Sequence, residues 1–269
     1  MLRQESRISP SSNPAEVVLR RLRTLAPLNE REAALVLSMG AQRHTHSAGV
    51  ELFGEGSHIG RPRVLLSGWA CRCRVLPDGR RQIFTFVVPG DAIGLCVRPE
   101  PVAQSTVVGL TKTVVADASP LAEAAYERSS EYEGLASAVS IAATLDEASL
   151  LDHIVRLGRQ TAYERMAHLF LELRWRLSAV GLGNERKFPL PLTQEVLADA
   201  LGLSIVHVNR TLQQLRREGL LEMRGGSVEL YKSDVLAAAA AADFRLPQPT
   251  RRDGWESANE AGPALRPAG

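Results

Sequence analysis

The sequence predicts an α+β chain: an N-terminal β-roll of jelly-roll type, a long dimerisation helix, and a C-terminal winged helix-turn-helix. Three observations lead there. Between Ala41 and Asp117, short apolar runs are broken at even intervals by Gly, Pro and Asp, the pattern of a barrel or jelly roll. Leu135, Ala138, Ala142, Leu145 and Ser149 then repeat at alternating three- and four-residue steps, the seam spacing of packed helices. Finally, Leu190 to Leu230 reads as two short helices around a glycine turn, followed by a small hairpin.

The chain has 269 residues, of which 45% are hydrophobic, enough for two buried cores. Five segments are expected: a disordered N-terminus over 1–13, the β-roll sensor domain over 14–127, the dimerisation helix over 128–157, the winged helix-turn-helix over 158–232, and an alanine-rich helix with a disordered tail over 233–269. The net charge is only +2, but Arg156 to Lys232 holds 12 Lys and Arg against 8 Asp and Glu. That is a modest footprint for a polyanion, so affinity must lean on dimerisation and placement more than on bulk charge. Three cysteines make no disulfide framework and point to a reducing cytoplasm. Met1 to Glu5 begins no signal peptide, and the apolar run Val235 to Ala242 is far short of a membrane span, so no membrane association is expected.

Within the first segments, Val17, Val18, Leu22 and Leu25 have helical spacing, with Arg20, Arg21 and Arg23 on a solvated face. Asn29 with Glu32 three residues on is a capping-box start for a second helix through Met39. Val64 to Val75, Gln82 to Val88, Ala103 to Leu110 and Thr113 to Ala116 read as strands, with turns at Pro77-Asp78-Gly79 and Pro89-Gly90-Asp91. On the dimerisation helix, Ile141, Ala148 and Val155 form a second apolar line, so one side is expected to meet a partner copy and the other the chain's own domains. Thr161-Ala162-Tyr163-Glu164 is a second capping box, which makes Leu157 to Gln160, with Gly158, the expected hinge. Ser233 is positioned to cap the alanine-rich helix, to Phe244.

The helix-turn-helix spacing is Gln194-x3-Ala198-x3-Gly202-x5-Val208, and each position has its own steric reason. Thr193 caps the first helix; Ala198 stays small where a second helix crosses; Gly202 supplies a left-handed turn; Val208 plugs the crossing. Ser204 caps the second helix, whose inward stripe is Val208, Leu212 and Leu215. That leaves Ser204, Ile205, Val206, His207, Asn209 and Arg210 at the N-terminal end or outer face, where such a helix meets base edges in a major groove. Arg210 suits guanine, Asn209 adenine or a phosphate, and Ile205 or Val206 a thymine methyl, whereas His207 suits either a phosphate or plain solvent. Arg216 on the helix and Arg224 beside the Gly225-Gly226 turn are the expected phosphate contacts.

Cys71-x-Cys73 lies on a strand beside Trp69 and Val75, the alternation of a half-buried strand with small core cysteines; redox or metal sensing with Cys96 or His44-x-His46 is the sharper alternative. No nucleophile, base and acid converge at telling spacing, so no catalytic residue and no metal ligand is assigned, and an enzyme or a plain ligand-binding module is the weaker reading.

In order and in motifs, Leu22 to Tyr231 resembles the Crp/Fnr superfamily of bacterial transcription regulators. Leu192-Thr193-Gln194-Glu195, Ala198-Asp199-Ala200-Leu201-Gly202-Leu203-Ser204 and Val208-Asn209-Arg210-Thr211-Leu212 are similar to its DNA-reading block, and Asp78-Gly79-Arg80-Arg81-Gln82-Ile83 and Pro89-Gly90-Asp91-Ala92-Ile93-Gly94 to its β-roll turns. The resemblance implies a cytoplasmic homodimer on a two-fold-symmetric operator of double-stranded DNA, with RNA polymerase as a further partner. It also exposes departures. Leu95 stands where the family's cyclic-nucleotide binders place a ribose-holding Glu, and Gln104-Ser105 where they place the Arg-Ser that takes the cyclic phosphate; Arg98 is off the pattern. Cyclic AMP is therefore not the expected ligand, since its charge would be buried unpaired. An iron-sulfur cluster is not expected either, because no cysteine precedes Cys71. No other cofactor is assigned, and the effector is left unassigned. Val206 replaces a cytosine-reading Glu, so the half-site is expected to differ from the family's usual one.

Overall fold

A computed structural model describes residues 13–96, 101–127 and 129–240. Residues 1–12, Arg98 and the segment from 241 on, where the ends expected to be disordered and the expected run of the last helix to Phe244 fall, lie outside the described residues.

Two helices open the chain, α1 (Glu16–Arg23) and α2 (Glu30–Ser38). Asn29 and Glu32 form the capping box of α2 as their spacing predicts, and buried Glu32 does more: its second carboxylate oxygen accepts the Leu135 amide at 2.9 Å. Eight strands follow: β1 (Arg43–His46), β2 (Glu51–Phe53), β3 (Arg63–Ser67), β4 (Ala70–Val75), β5 (Arg81–Val87), β6 (Ala92–Ile93), β7 (Thr106–Gly109) and β8 (Thr113–Asp117). They form two four-stranded sheets in the orders β1-β8-β3-β6 and β2-β7-β4-β5, facing each other over Leu52, Leu65, Val87, Val107 and Val115. The run Val64 to Val75, expected as one strand, is two strands in different sheets. The break is at Gly68, whose φ of 87° and close approach to the Lys112 carbonyl let the chain cross from one sheet to the other. β1, β2 and β6 were not expected, because they are only four, three and two residues long and β1 is polar throughout.

After α3 (Ser119–Tyr126) comes the long helix α4 (Glu133–Arg159). The segment Ser130–Arg159 is long and apolar enough to cross a membrane by length and composition, unlike the run Val235 to Ala242. Its apolar residues divide between two jobs. Leu135 and Ala138, expected on a seam with a partner, are fully buried against α1, α2 and α3, and Ala142 and Leu145 pack on the same cluster. The large apolar side chains of α4 left exposed are Leu151, Ile154 and Val155, at 58%, 65% and 54%. Periodicity shows that a face is apolar, not whose core it fills. The helix break expected over Leu157 to Gln160 is narrower: α4 runs through Gly158 and ends at Arg159, and the backbone turns extended at Gln160.

The capping box of Thr161 and Glu164 starts α5 (Ala162–Ala179). Beyond it come β9 (Lys187–Pro189), α6 (Gln194–Leu201), α7 (Ile205–Arg217), β10 (Leu221–Arg224), β11 (Ser227–Leu230) and α8 (Ser233–Ala239). β9 was not expected; it adds a third strand to the hairpin in the order β10-β11-β9. α8 starts at Ser233 itself, with Lys232 in the cap position Ser233 was expected to take.

One apolar cluster joins the two halves. Trp69, Cys71, Cys73, Ile83 and Phe86 of the roll share it with Met166, Phe170 and Leu173 of α5 and Leu197 and Leu201 of α6. Val75, expected on the same face as the cysteines, is 58% exposed beyond the cluster's edge, after a bulge between Arg72 and Cys73. Charged groups rim the joint. Arg176 donates to Asp91 at 2.6 Å and to the Phe86 carbonyl at 2.8 Å, Arg156 pairs with Glu172 at 2.7 Å, and Arg81 pairs with Asp199 of α6 at 2.7 Å.

His153 of α4 and His168 of α5 are buried in this joint, and desolvation, reinforced by nearby Arg156, pushes both imidazoles down to about 4. Both are neutral in the fold, while the unfolded chain titrates near 6.5. Their contribution is complete above that value and is lost as pH falls from 6.5 toward 4, by at most roughly 3 kcal/mol each. Urea unfolding followed from pH 7 to pH 5 is expected to show falling stability, and His168→Gln to flatten the slope; an unchanged slope in the variant contradicts this account.

Candidate nucleic-acid interface

α6 and α7 cross at Ala198 and Val208, both buried, and the turn between them is set by Gly202 at φ 62°. Thr193 Oγ1 accepts the Val196 amide at 3.2 Å and Ser204 Oγ accepts the His207 amide at 3.2 Å, so each hydroxyl caps its own helix while staying exposed. α7 is strongly two-faced. Val208, Thr211, Leu212 and Leu215 are buried; Ser204, Ile205, Val206, His207, Asn209, Arg210, Arg216 and Arg217 are exposed. Val206 at 69% and Ile205 at 49% are large apolar side chains held in solvent at the helix's positive end, where burial against protein would have been the ordinary outcome.

Asn209 is not free: it donates to Gln194 at 3.2 Å and accepts from Gln213 at 2.8 Å. This polar row across both helices adds Gln194 and Gln213 to the face, and the four-residue step from Asn209 to Gln213 was the signal that could have shown the second. Arg210 hydrogen-bonds or ion-pairs with none of the described residues and stands beside that row. Gly225 and Gly226, at φ 57° and 72°, make the two-residue turn of the wing and leave Arg224 exposed at its tip. Thr193, Arg216 and Arg224 are exposed outside the row of Gln194, Asn209 and Gln213.

A cavity of about 430 Å³ lies under the roll, walled by strands, α1, α4 and α5. Leu95, Gln104 and buried Ser105 line it, and Arg72, the cation on its strand wall, is tied to Asp146 of α4 at 2.5 Å. Cys71 and Cys73 are fully buried in the joint, where the hydrogen bond between them pushes the Cys71 thiol well up and holds the Cys73 thiol down. Among the described residues no group of three or more His, Cys, Asp or Glu is placed to hold a metal ion.

Comparison with known proteins agrees with this face. Residues 164–239 match the Crp-like helix-turn-helix domain. The nitrogen fixation regulation protein FixK of Bradyrhizobium diazoefficiens is 31% identical over 201 residues, covering 74% of this chain and 83% of that one. The transcriptional activator protein FnrL of Cereibacter sphaeroides is 27% identical over 185 residues, covering 67% and 73%. The structure of FixK2 from Bradyrhizobium japonicum superposes with a TM-score of 0.65 at 28% identity, over 75% of this chain and 98% of that one. With a roll, a long helix and a Crp-like reading unit in this order, the chain belongs to the Crp/Fnr superfamily of bacterial transcription regulators.

Proposed function

We propose that two copies of the chain, paired through the exposed stripe of α4, bind a two-fold-symmetric operator and read each half-site with the N-terminal half of α7. The observation that carries this is the exposed end of α7, where Ile205, Val206, Asn209 and Arg210 face solvent on a helix whose other face is fully packed. Arg210 takes guanine O6 and N7; Asn209, already oriented by Gln194 and Gln213, is presented to an adenine edge or a phosphate. Val206 and Ile205 offer methyl contacts, and Thr193, Ser204, His207, Arg216 and Arg224 hold the flanking backbone. The dimer acts in the cytoplasm, and its effect on transcription passes through RNA polymerase. Catalysis is no part of this reading.

For the roll, the reading is a cavity that does not take cyclic AMP. Leu95 offers no acceptor for a ribose hydroxyl, Gln104 brings no charge to a cyclic phosphate, and Arg72 is already committed to Asp146.

Operators selected from a random DNA pool give the test. Arg210→Ala is expected to weaken binding to the selected site by roughly five- to 150-fold, about 1–3 kcal/mol, and to relax the choice of base at one position per half-site. Arg216→Ala is expected to lower affinity evenly across sequences and to reduce the salt dependence. A wild-type protein that enriches no sequence contradicts the reading.

Dimerisation is tested separately. Ile154→Glu, which puts a charge in the middle of the exposed stripe, is expected to elute as a monomer in size-exclusion chromatography and to lose binding to the full operator. Elution unchanged from wild type places the interface elsewhere.

A further inference from the structure

Arg165 lies in the first turn of α5, and its guanidinium donates to three backbone carbonyls at the ends of two other helices: Leu157 in the last turn of α4, Gln160 just past it, and Leu201 of α6. Nη2 donates to Leu157 at 2.9 Å and Nε to Gln160 at 2.9 Å, at the C-terminus of α4. Nη1 donates to Leu201 at 2.9 Å, the last residue of α6. Helix C-termini leave carbonyls without intrahelical partners and carry the negative end of the dipole. One planar cation therefore closes the ends of both α4 and α6 and fixes the distance and angle between them. Gly202 confirms how tightly the two meet: a Cβ built there comes 3.0 Å from the Leu157 side chain and 3.6 Å from Arg165.

In the dimer proposed above, on which this inference rests, α4 lies along the two-fold axis and α6 carries α7 across the Ala198–Val208 crossing. Whatever fixes α6 to α4 fixes the separation of the two reading helices. We infer that Arg165 is a positioning residue that sets the half-site spacing the dimer accepts, without touching DNA itself. No other side chain among the described residues is seen to bond the ends of both helices, and a lysine cannot replace it, because one ammonium on a flexible stem does not span three carbonyls in a fixed plane.

The test uses the full-length dimer and a set of operators made from the selected half-site, with the centre lengthened or shortened by one and two base pairs. Each base pair moves the half-sites by about 3.4 Å and rotates one against the other. Wild type is expected to bind one spacing best and to lose about tenfold for each step away, roughly 1.4 kcal/mol. Arg165→Lys is expected to bind the best spacing more weakly and to vary less than threefold across the set. Arg165→Gln, with two donors on one amide, serves where the lysine variant does not fold, and is expected to give a profile of intermediate sharpness. Weaker binding with the wild-type profile retained in whichever variant folds overturns the inference and leaves the dimer reading standing. A wild-type protein indifferent to spacing overturns both.

Discussion

The reading unit is held by an apolar surface it does not own. α5 turns Met166, Phe170 and Leu173 into a cluster that the roll completes with Trp69, Cys71, Ile83 and Phe86, while α6 adds Leu197 and Leu201 to the same cluster. Burial of this size is non-directional and would tolerate sliding. The ion pairs around its edge remove that freedom, since Arg176 reaches both Asp91 and the Phe86 carbonyl, and Arg81 reaches Asp199. Apolar area supplies the attraction and charged rims supply the register. Neither alone would hold α7 at one angle to the roll.

That division explains why so many arginines of a DNA-binding chain face inward. Arg21, Arg81, Arg156, Arg165 and Arg176 are spent on Asp91, Asp199, Glu172 and backbone carbonyls, so they add little to the field that DNA meets. The buried pairs are also weak sources of net stability, because desolvating both partners offsets most of their attraction. Their value lies in geometry: an ion pair broken on one side leaves a buried charge, which penalises every arrangement but the one observed. The cavity is part of the same joint, because α5 lines it together with strands of the roll, so an occupant there would touch the unit that reads DNA.

Much of this was legible in the sequence where local chemistry is decisive. The capping boxes at Asn29 and Thr161, the caps at Thr193 and Ser204, the left-handed Gly202 and the Gly225-Gly226 turn follow from residue types whose preferred backbone is narrow. What was not legible depends on partners far along the chain. The strand break at Gly68 answers to the Lys112 carbonyl, and the short strands β1, β2 and β6 exist because of their neighbours rather than their own residues. The line Leu135, Ala138, Ala142, Leu145 has the right period for a dimer seam, yet it fills the groove left by α1, α2 and α3. On the candidate interface, the exposure of each expected residue could be read from the stripe of α7, while the bond from Asn209 to Gln194 needed the helix crossing.

The exposed cations of the reading unit, Arg210, Arg216, Arg217 and Arg224, are all the non-specific grip that α7 and the wing bring to a phosphate backbone. In the proposed dimer the end of α7 offers each half-site only Ile205, Val206, Asn209 and Arg210 for base edges, each dependent on placement. Two such weak contact sets become one strong one only if both are presented at the right separation, because the second then binds at high effective concentration. A flexible joint would spread that concentration over many spacings and lose most of it. The inward arginines and the short base-reading end of α7 are therefore two sides of one constraint in the proposed dimer: cations used to fix the angle of α7 are what let so few base contacts select a site.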